Sequence, residues 1–233
     1  MVKNKKIKIK IKIIIVSVAI LLLLAVGGTA VYRHNTKIVP EGLLKNSLEN
    51  TLKAQSYAFS IKSQLYVDGN ERLLSDLEGK KDSKGNFHLK GKMLSQDVEI
   101  YQIQDTTYFK EHNSDKWMVL EDNNIMEMEQ FMTEVNPLSN FNFVIPEKVD
   151  YHGKEKVKGI TCHVLSLEPN VENRILKIHW RGFSYKLWVE QGGDYIRKAV
   201  LKAKGKENSS AVLELNMDFS DFNRVREIVP PKV

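Results

Sequence analysis

The side chains of this sequence that could do chemistry are chiefly six histidines and one cysteine. The histidines are His34, His88, His112, His152, His163 and His179. No two of them have the spacing of a helical His-x-x-x-His site or of a zinc finger, so we expect no metal site. Cys162 stands between Thr161 and His163 in a predicted strand, where neighbouring residues point to opposite faces. An adjacent Cys-His catalytic pair is therefore geometrically poor, and we expect a buried structural thiol.

Other catalytic signatures are missing from the sequence. It has no Gly-x-Ser-x-Gly elbow and no glycine-rich phosphate loop. Glu127 and Glu129 are two positions apart in a predicted helix, so their side chains face different directions. We therefore expect a protein that is not an enzyme and that uses no cofactor.

The remaining side chains that could contact a ligand are apolar. Residues 123–135 predict an amphipathic helix that carries Met128, Phe131 and Met132. Unbranched thioether side chains adapt to irregular apolar ligands, so this helix could be the movable lid of a lipid cavity. Ordinary core packing accounts for the same residues, and the sequence leaves both interpretations open.

The elements around these residues follow from the hydrophobic period. Residues 41–55 predict an amphipathic helix, and from residue 56 the period changes to two, which predicts strands with one apolar face. The apolar positions of the early strands are Tyr57, Phe59, Ile61, Phe87, Leu89 and Met93. They could line a cavity or fill a core, because both produce the same alternation.

Later segments continue the β pattern. Residues 160–167 predict a strand, and three more strands close the chain. Residues 171–182 are ambiguous, although a short amphipathic helix fits them somewhat better than a strand. The order of elements predicts an α+β fold with one antiparallel sheet, whose single apolar face is covered by helices.

The N-terminal residues predict a membrane-spanning segment. Residues 13–32 carry no charge, and a helix of that length spans the roughly 30 Å hydrocarbon core. Six lysines precede it within residues 1–12, which predicts a cytoplasmic N-terminus and an extracytoplasmic remainder. A cleaved secretory signal is the alternative, since it also begins with basic residues before an apolar stretch. Residues 33–40 then form a linker, and residues 41–233 form one domain.

The basic net charge of +6 belongs to this N-terminal region. Residues 1–37 hold eight of the 35 Lys and Arg and no acid, which leaves 27 basic against 29 acidic residues and a net charge of −2. A slightly acidic domain without a basic stripe has no electrostatic footprint for DNA or RNA. We expect no nucleic-acid partner.

Several segments together resemble the LolA/LppX-like lipoprotein-carrier superfamily over residues 41–231. They are SYAFSIKSQL, TTYFKE, DKWMVLE, GITCHVLSLEPN, YKLWVEQGGDYIRKAVLKA and NMDFSDFN. The resemblance implies a strongly curved antiparallel β half-barrel covered by amphipathic helices, with an apolar cavity that takes acyl chains. The sequence departs from the lipoprotein branch because it has no N-terminal cysteine to acylate, and a retained anchor departs from freely diffusing carriers.

The resemblance makes the apolar positions above candidates for the lining of that cavity. The candidate lining residues are Tyr57, Phe59, Ile61, Phe87, Leu89, Met93, Trp117, Met128, Phe131 and Met132. The expected function is that of a single-pass, membrane-anchored extracytoplasmic domain that binds lipid acyl chains or a lipidated protein non-covalently. The alternative is a tethered envelope module for protein interaction or signalling, with a filled core and no ligand.

Overall fold

The computed structural model describes residues 38–111, 114–122, 136–192 and 195–232. The predicted anchor at 13–32 and the predicted methionine-rich helix at 123–135 lie outside these residues, so both stay predictions. Within the described ranges, no helix combines the length and the apolar character needed to cross a membrane. The compact unit that carries the fold runs from Pro40 to Val233.

The described residues contain three helical segments and a series of strands. The helical segments are α1 (Pro40–Leu52), a 3₁₀ helix (Pro137–Phe141) and α2 (Arg174–His179). The strands are β1 (Tyr57–Val67), β2 (Asn70–Lys81), β3 (Phe87–Met93), β4 (Gln96–Ile103), β5 (Thr106–Lys110), β6 (Trp117–Leu120), β7 (Phe143–Val144), β8 (Asp150–Val157), β9 (Ile160–Leu167), β10 (Asn170–Val171), β11 (Trp180–Glu190), β12 (Ile196–Gly205) and β13 (Val212–Ser220).

Eleven of these strands form one open, curved antiparallel sheet in the order β6-β5-β4-β3-β2-β1-β13-β12-β11-β9-β8. Strand β1 lies near the middle, where it pairs with β2 on one side and with the final strand β13 on the other. β7 and β10 form a separate two-stranded pair. The predicted antiparallel sheet with few helices is confirmed, and α2 resolves the ambiguous segment as a short helix that leads into β11.

One face of the sheet, which we call the apolar face, carries the main core. Phe59, Leu89, Leu187 and Leu201 all lie on it and are buried. The packing there is tight: a Cβ atom added to Gly79 would come within 2.3 Å of the Phe59 ring that covers it. The alternation seen in the sequence therefore places a dense core on this face.

The first hairpin turn follows directly from its residue types. Asp68 and Gly69 join β1 to β2 with φ angles of 50° and 81°. A two-residue turn with positive φ at both positions matches the right-handed twist of the flanking strands, and Asp-Gly is among the preferred sequences for it. The turn fixes the β1–β2 register from Val67 opposite Asn70 to Gln64 opposite Leu73, and an irregularity between Ser63 and Gln64 shifts it by one residue before Tyr57 lies opposite Lys81.

The opposite face, which we call the outer face, departs from the sequence prediction of a single apolar face. It carries a second buried cluster in which Cys162, Val164 and Trp188 pack together. The turn between β8 and β9 reaches across this cluster, since Lys158 Nζ lies 3.9 Å from Asp218 Oδ1 on β13. The sheet is therefore buried on both faces at its β9–β11 end, because the hairpin tip covers the outer face there.

Helix α1 is joined to the apolar face through a hydrogen bond of its last turn and a row of buried residues. Leu44 and Leu48 are buried on its sheet-facing side. Its last turn is fixed by Thr51, whose buried Oγ1 accepts a hydrogen bond from the backbone N–H of Ile196 at 2.9 Å. This contact holds the end of α1 beside the start of β12.

Candidate functional site

A cleft of about 500 Å³ opens between the end of α1, the start of β1 and the 3₁₀ helix. Its apolar lining is provided by Leu52, Tyr57, Leu138, Phe141 and Phe143. Lys81, Asn136, Ser139 and Asn142 complete the lining with polar groups. Ligand-binding sites in proteins commonly have volumes of about 300–1,000 Å³ and combine apolar walls with a few polar groups.

The 3₁₀ helix forms one wall of the cleft, and a buried tyrosine fixes its position. Pro137 begins the helix, where its missing N–H is not needed. At the other end of the helix, the Tyr185 hydroxyl on β11 donates a hydrogen bond to the backbone carbonyl of Asn140 at 2.6 Å. The Asn140 amide also donates to the Pro137 carbonyl at 3.1 Å. The wall is thereby bound to the apolar face of the sheet.

Aromatic contacts continue this wall into the core. The Phe141 ring lies 5.8 Å from the ring of Phe219, and the Phe143 ring lies 4.9 Å from that of Tyr185. Phe141 is only 3% exposed, so its ring forms the base of the wall rather than its rim. Leu52 on the opposite side is 49% exposed and offers an open apolar surface.

Tyr57 forms the floor of the cleft at the first residue of β1. Its ring contacts the aromatic rings of Phe59, Phe219 and Phe222 at centroid distances of 6.0, 6.3 and 6.5 Å. Burial raises the pKa of the Tyr57 hydroxyl well above its ordinary value, and burial does the same for Tyr185. Both hydroxyls therefore stay neutral across the physiological range, and neither can act as a base.

One cation faces the cleft. Lys81, the last residue of β2, lies directly opposite Tyr57 in the β1–β2 register. Its Nζ is 6.0 Å from the Tyr57 ring centroid, at the outer limit of a cation–π contact. The described lining residues include no carboxylate. The cleft can therefore bind an apolar group beside a single positive charge, and its described lining offers no pair of groups for nucleophilic or acid-base catalysis.

The predicted lining residues that the structure describes lie in three environments, which are the cleft, the main core and the outer face. Tyr57 reaches the cleft, and Met93 packs against the main core as a partly buried residue. Four others lie within that core and away from the cleft lining, namely Phe59, Ile61, Phe87 and Leu89. Met128, Phe131 and Met132 lie outside the described residues.

Trp117 lies on the outer face. Its ring contacts Tyr101 edge-on at 5.4 Å, and Tyr101 stacks on His88 at 3.9 Å. His88 alternates with the buried Phe87 and Leu89 along β3, which places this aromatic group on the opposite side of the sheet from the core. Trp117 therefore packs among outer-face side chains, away from the cleft and from the residues predicted to line a cavity with it.

Sequence reasoning missed the wall formed by Leu138, Phe141 and Phe143. A signal was present, because Pro137 marks the start of a helical turn and the three apolar residues follow it closely. What the sequence did not contain was the distant hydrogen bond from Tyr185 that attaches this turn to the sheet.

Comparison with solved structures relates the fold to known proteins. No protein-family model matches the chain, and no curated protein matches its sequence. LprF from Mycobacterium bovis is structurally similar, with a TM-score of 0.56 at 11% identity over 82% of this chain and 96% of LprF. The lipoprotein LppX from Mycobacterium tuberculosis gives a TM-score of 0.49 at 15% identity, covering 81% of this chain and 97% of LppX.

A LolA superfamily protein from Nitrosomonas europaea is more distant, with a TM-score of 0.35 at 11% identity over 83% of this chain and 96% of that protein. The likeness to LprF, which extends over most of both chains, is the comparison on which the fold assignment depends. The domain therefore has a LolA/LppX-like fold.

Proposed function

We propose that this domain binds an acyl chain, from a lipid or a lipidated protein, non-covalently in the cleft beside the 3₁₀ helix. The observation that carries the proposal is the cleft itself: about 500 Å³ of space with Leu52 exposed on one side and Phe141 at the base of the other. Burying an acyl chain against such surfaces contributes about 0.8 kcal/mol for each methylene removed from water. The LolA/LppX-like fold agrees with acyl-chain binding, as the sequence resemblance predicts.

We further propose that the chain is held at the outer side of a cell membrane by residues 13–32. The support is the uncharged stretch itself and the lysines before it. Protease treatment of intact cells tests this arrangement. Before treatment the domain should be found in the membrane fraction, and protease added outside the cells should digest it. Recovery of the domain in the soluble cytosol would contradict it.

Acyl-chain binding is tested on the full chain purified in a mild neutral detergent. Mass spectrometry should find co-purified lipid, and the protein should take up a fluorescent fatty acid in a saturable manner. The absence of both co-purified lipid and fatty-acid uptake would overturn the proposal. A matched pair of exposed helical residues gives the control: Leu52→Gln at the cleft should weaken uptake, whereas Ile178→Gln on α2 should not.

The alternative of a protein-interaction module without a ligand has one observation in its favour. The strand residues Phe59, Ile61 and Leu89 fill a core and leave no space at their own positions. Phe59→Ala should therefore cost about 3–5 kcal/mol of stability, measured by chemical unfolding. This loss is compatible with both functions, so the fatty-acid experiment decides between them.

A further inference from the structure

Lys81 occupies an unusual place for a lysine. Its neighbours across the register are Tyr57 on β1 and Phe87 on β3, and both are buried on the apolar face. Residues directly opposite each other on neighbouring strands point to the same side of the sheet. The Lys81 side chain therefore extends from the apolar face, at the position where the cleft opens.

The charge of Lys81 is not balanced by a carboxylate of the described domain. Nearby lysines differ in this respect: Lys84 lies 2.8 Å from Glu227, and Lys53 forms an ion pair with Glu49 on α1. For Lys81 the described contact is the face of the Tyr57 ring. A cation next to apolar walls, and without a paired acid among the described residues, is complementary to an anionic ligand.

Polar groups elsewhere in the cleft lining strengthen this complementarity. Asn136 and Asn142 belong to the same lining, and an asparagine amide supplies two N–H donors. Hydrogen bonds to an ionised acceptor are stronger than those between neutral groups. The cleft thus combines donors and a positive charge with the apolar surface of Leu52, Leu138 and Phe141 in one lining.

We propose that the cleft is selective for anionic amphiphiles, with the carboxylate or phosphate head at Lys81 and the hydrocarbon chain against the apolar walls. The inference rests on the proposed function and adds the class of ligand to it. A neutral lipid of equal chain length lacks the charge that Lys81 attracts. A preference of about tenfold corresponds to one charge-assisted hydrogen bond beyond the contacts of the chain.

The experiment compares three ligands of equal chain length on the full chain in neutral detergent at pH 8. They are hexadecanoate, monohexadecyl phosphate and hexadecanol, each titrated by displacement of a fluorescent fatty acid or by calorimetry. The wild-type protein should bind one or both anions about tenfold more tightly than the alcohol. The difference between the two anions tells which head group the site prefers.

Variants of Lys81 assign the preference to this residue. Lys81→Gln should bind the anions no better than hexadecanol, and Lys81→Arg should keep most of the preference. Lys84→Gln, outside the cleft lining, is the matched control and should behave as the wild type.

Three outcomes are distinguishable. Binding of all three ligands with equal affinity by the wild-type protein would overturn the anion selectivity while leaving acyl-chain binding intact. A preference that survives in Lys81→Gln would overturn the role of Lys81. Failure to bind any of the three would remove the proposed function together with this inference.

Discussion

The two ends of the outer face differ in how they are covered. At the β9–β11 end, Cys162, Val164 and Trp188 are buried beneath the β8–β9 hairpin tip. At the β3–β6 end, the same face is partly exposed, and Trp117 packs on Tyr101 among charged side chains. Among the described residues, the sheet therefore has buried apolar clusters on both faces at one end and on one face at the other.

Ion pairs show the same difference. At the β3–β6 end, Glu99 lies 2.9 Å from His88 Nε2 and 3.6 Å from Lys110 Nζ, and all three side chains are partly exposed. At the β9–β11 end, the Trp188 indole N–H donates to Glu155 Oε2 at 2.7 Å, which satisfies the one polar atom of a buried ring. Polar groups at the first end face water, whereas at the second end they complete a small core.

The difference between the two ends affects how the walls of the cleft are held in place. The hydrogen bond that holds the 3₁₀ helix comes from Tyr185 on β11, and the one that holds the end of α1 comes from Ile196 on β12. Both anchors therefore belong to the strands at or next to the doubly covered end. A firm sheet on one side of the cleft keeps its walls in place while the surface of Leu52 stays open.

Replacing Trp117 and Trp188 is the strongest test of the difference between the two ends of the outer face. Trp188→Ala should lower the free energy of unfolding by about 3–5 kcal/mol, because it empties a buried site. Trp117→Ala should lower it by only about 0.5–1.5 kcal/mol, the typical contribution of an aromatic pair at a partly exposed site. Urea unfolding followed by circular dichroism measures both losses. Equal losses would show that the two ends are covered alike.

The second prediction uses Cys162 as a reporter of the covered end. It is the only cysteine in the chain, and burial, followed by the charge of Glu190, raises the pKa of its thiol. Alkylation by iodoacetamide should therefore be slow in the native protein and should require opening of the hairpin. Trp188→Ala should accelerate it at least about 100-fold, because each loss of about 1.4 kcal/mol raises the open population tenfold and this variant is expected to lose about 3–5 kcal/mol.

The matched control for alkylation is Trp117→Ala. Because Trp117 lies at the other end of the outer face, its removal should leave the alkylation rate within a small factor of the wild-type value. Mass spectrometry of the intact protein follows the reaction. Rapid labelling of the wild-type protein, or equal acceleration by both variants, would show that the hairpin tip does not protect the thiol.

Local patterns in the sequence predicted much of the sheet. The alternation in residues 57–61 predicted β1, and the segment 160–167 predicted β9 with the bounds that the structure gives. Helix α1 begins and ends slightly earlier than predicted, at Pro40 and Leu52. These features depend on nearest-neighbour chemistry, so a single sequence contains enough information to locate them.

Features that depend on contacts between distant residues could not be predicted from local sequence patterns. The predicted burial of Cys162 is confirmed, but its place with Val164 in a second cluster on the outer face depends on the hairpin tip that reaches Asp218, and the polar Thr161 and His163 hide this cluster in the sequence. A signal did exist on the partner strand, where Leu187, Trp188 and Val189 form a continuous apolar run. Such a run is typical of a strand that is buried on both faces.

The third prediction, with the smallest expected effect, compares two histidines. Burial lowers the pKa of both His88 and His163, and Lys154 adds to the effect at His163. Glu99 opposes it at His88 through a hydrogen bond and its charge. Glu99→Gln should therefore lower the pKa of His88 further and leave that of His163 unchanged. Proton NMR titration of the imidazoles, assigned with His88→Gln, measures both values.

The same variant has a consequence for acid stability. A folded-state pKa below the ordinary value of about 6.5 means that the unfolded chain binds more protons as the pH falls through that value. The stabilisation is therefore complete above about pH 6.5 and is lost on acidification toward the folded pKa. Glu99→Gln should steepen this loss, because the folded state then accepts a proton at His88 less readily. An unchanged slope, together with an unchanged His88 pKa, would mean that water already screens Glu99 from His88 at this end of the sheet.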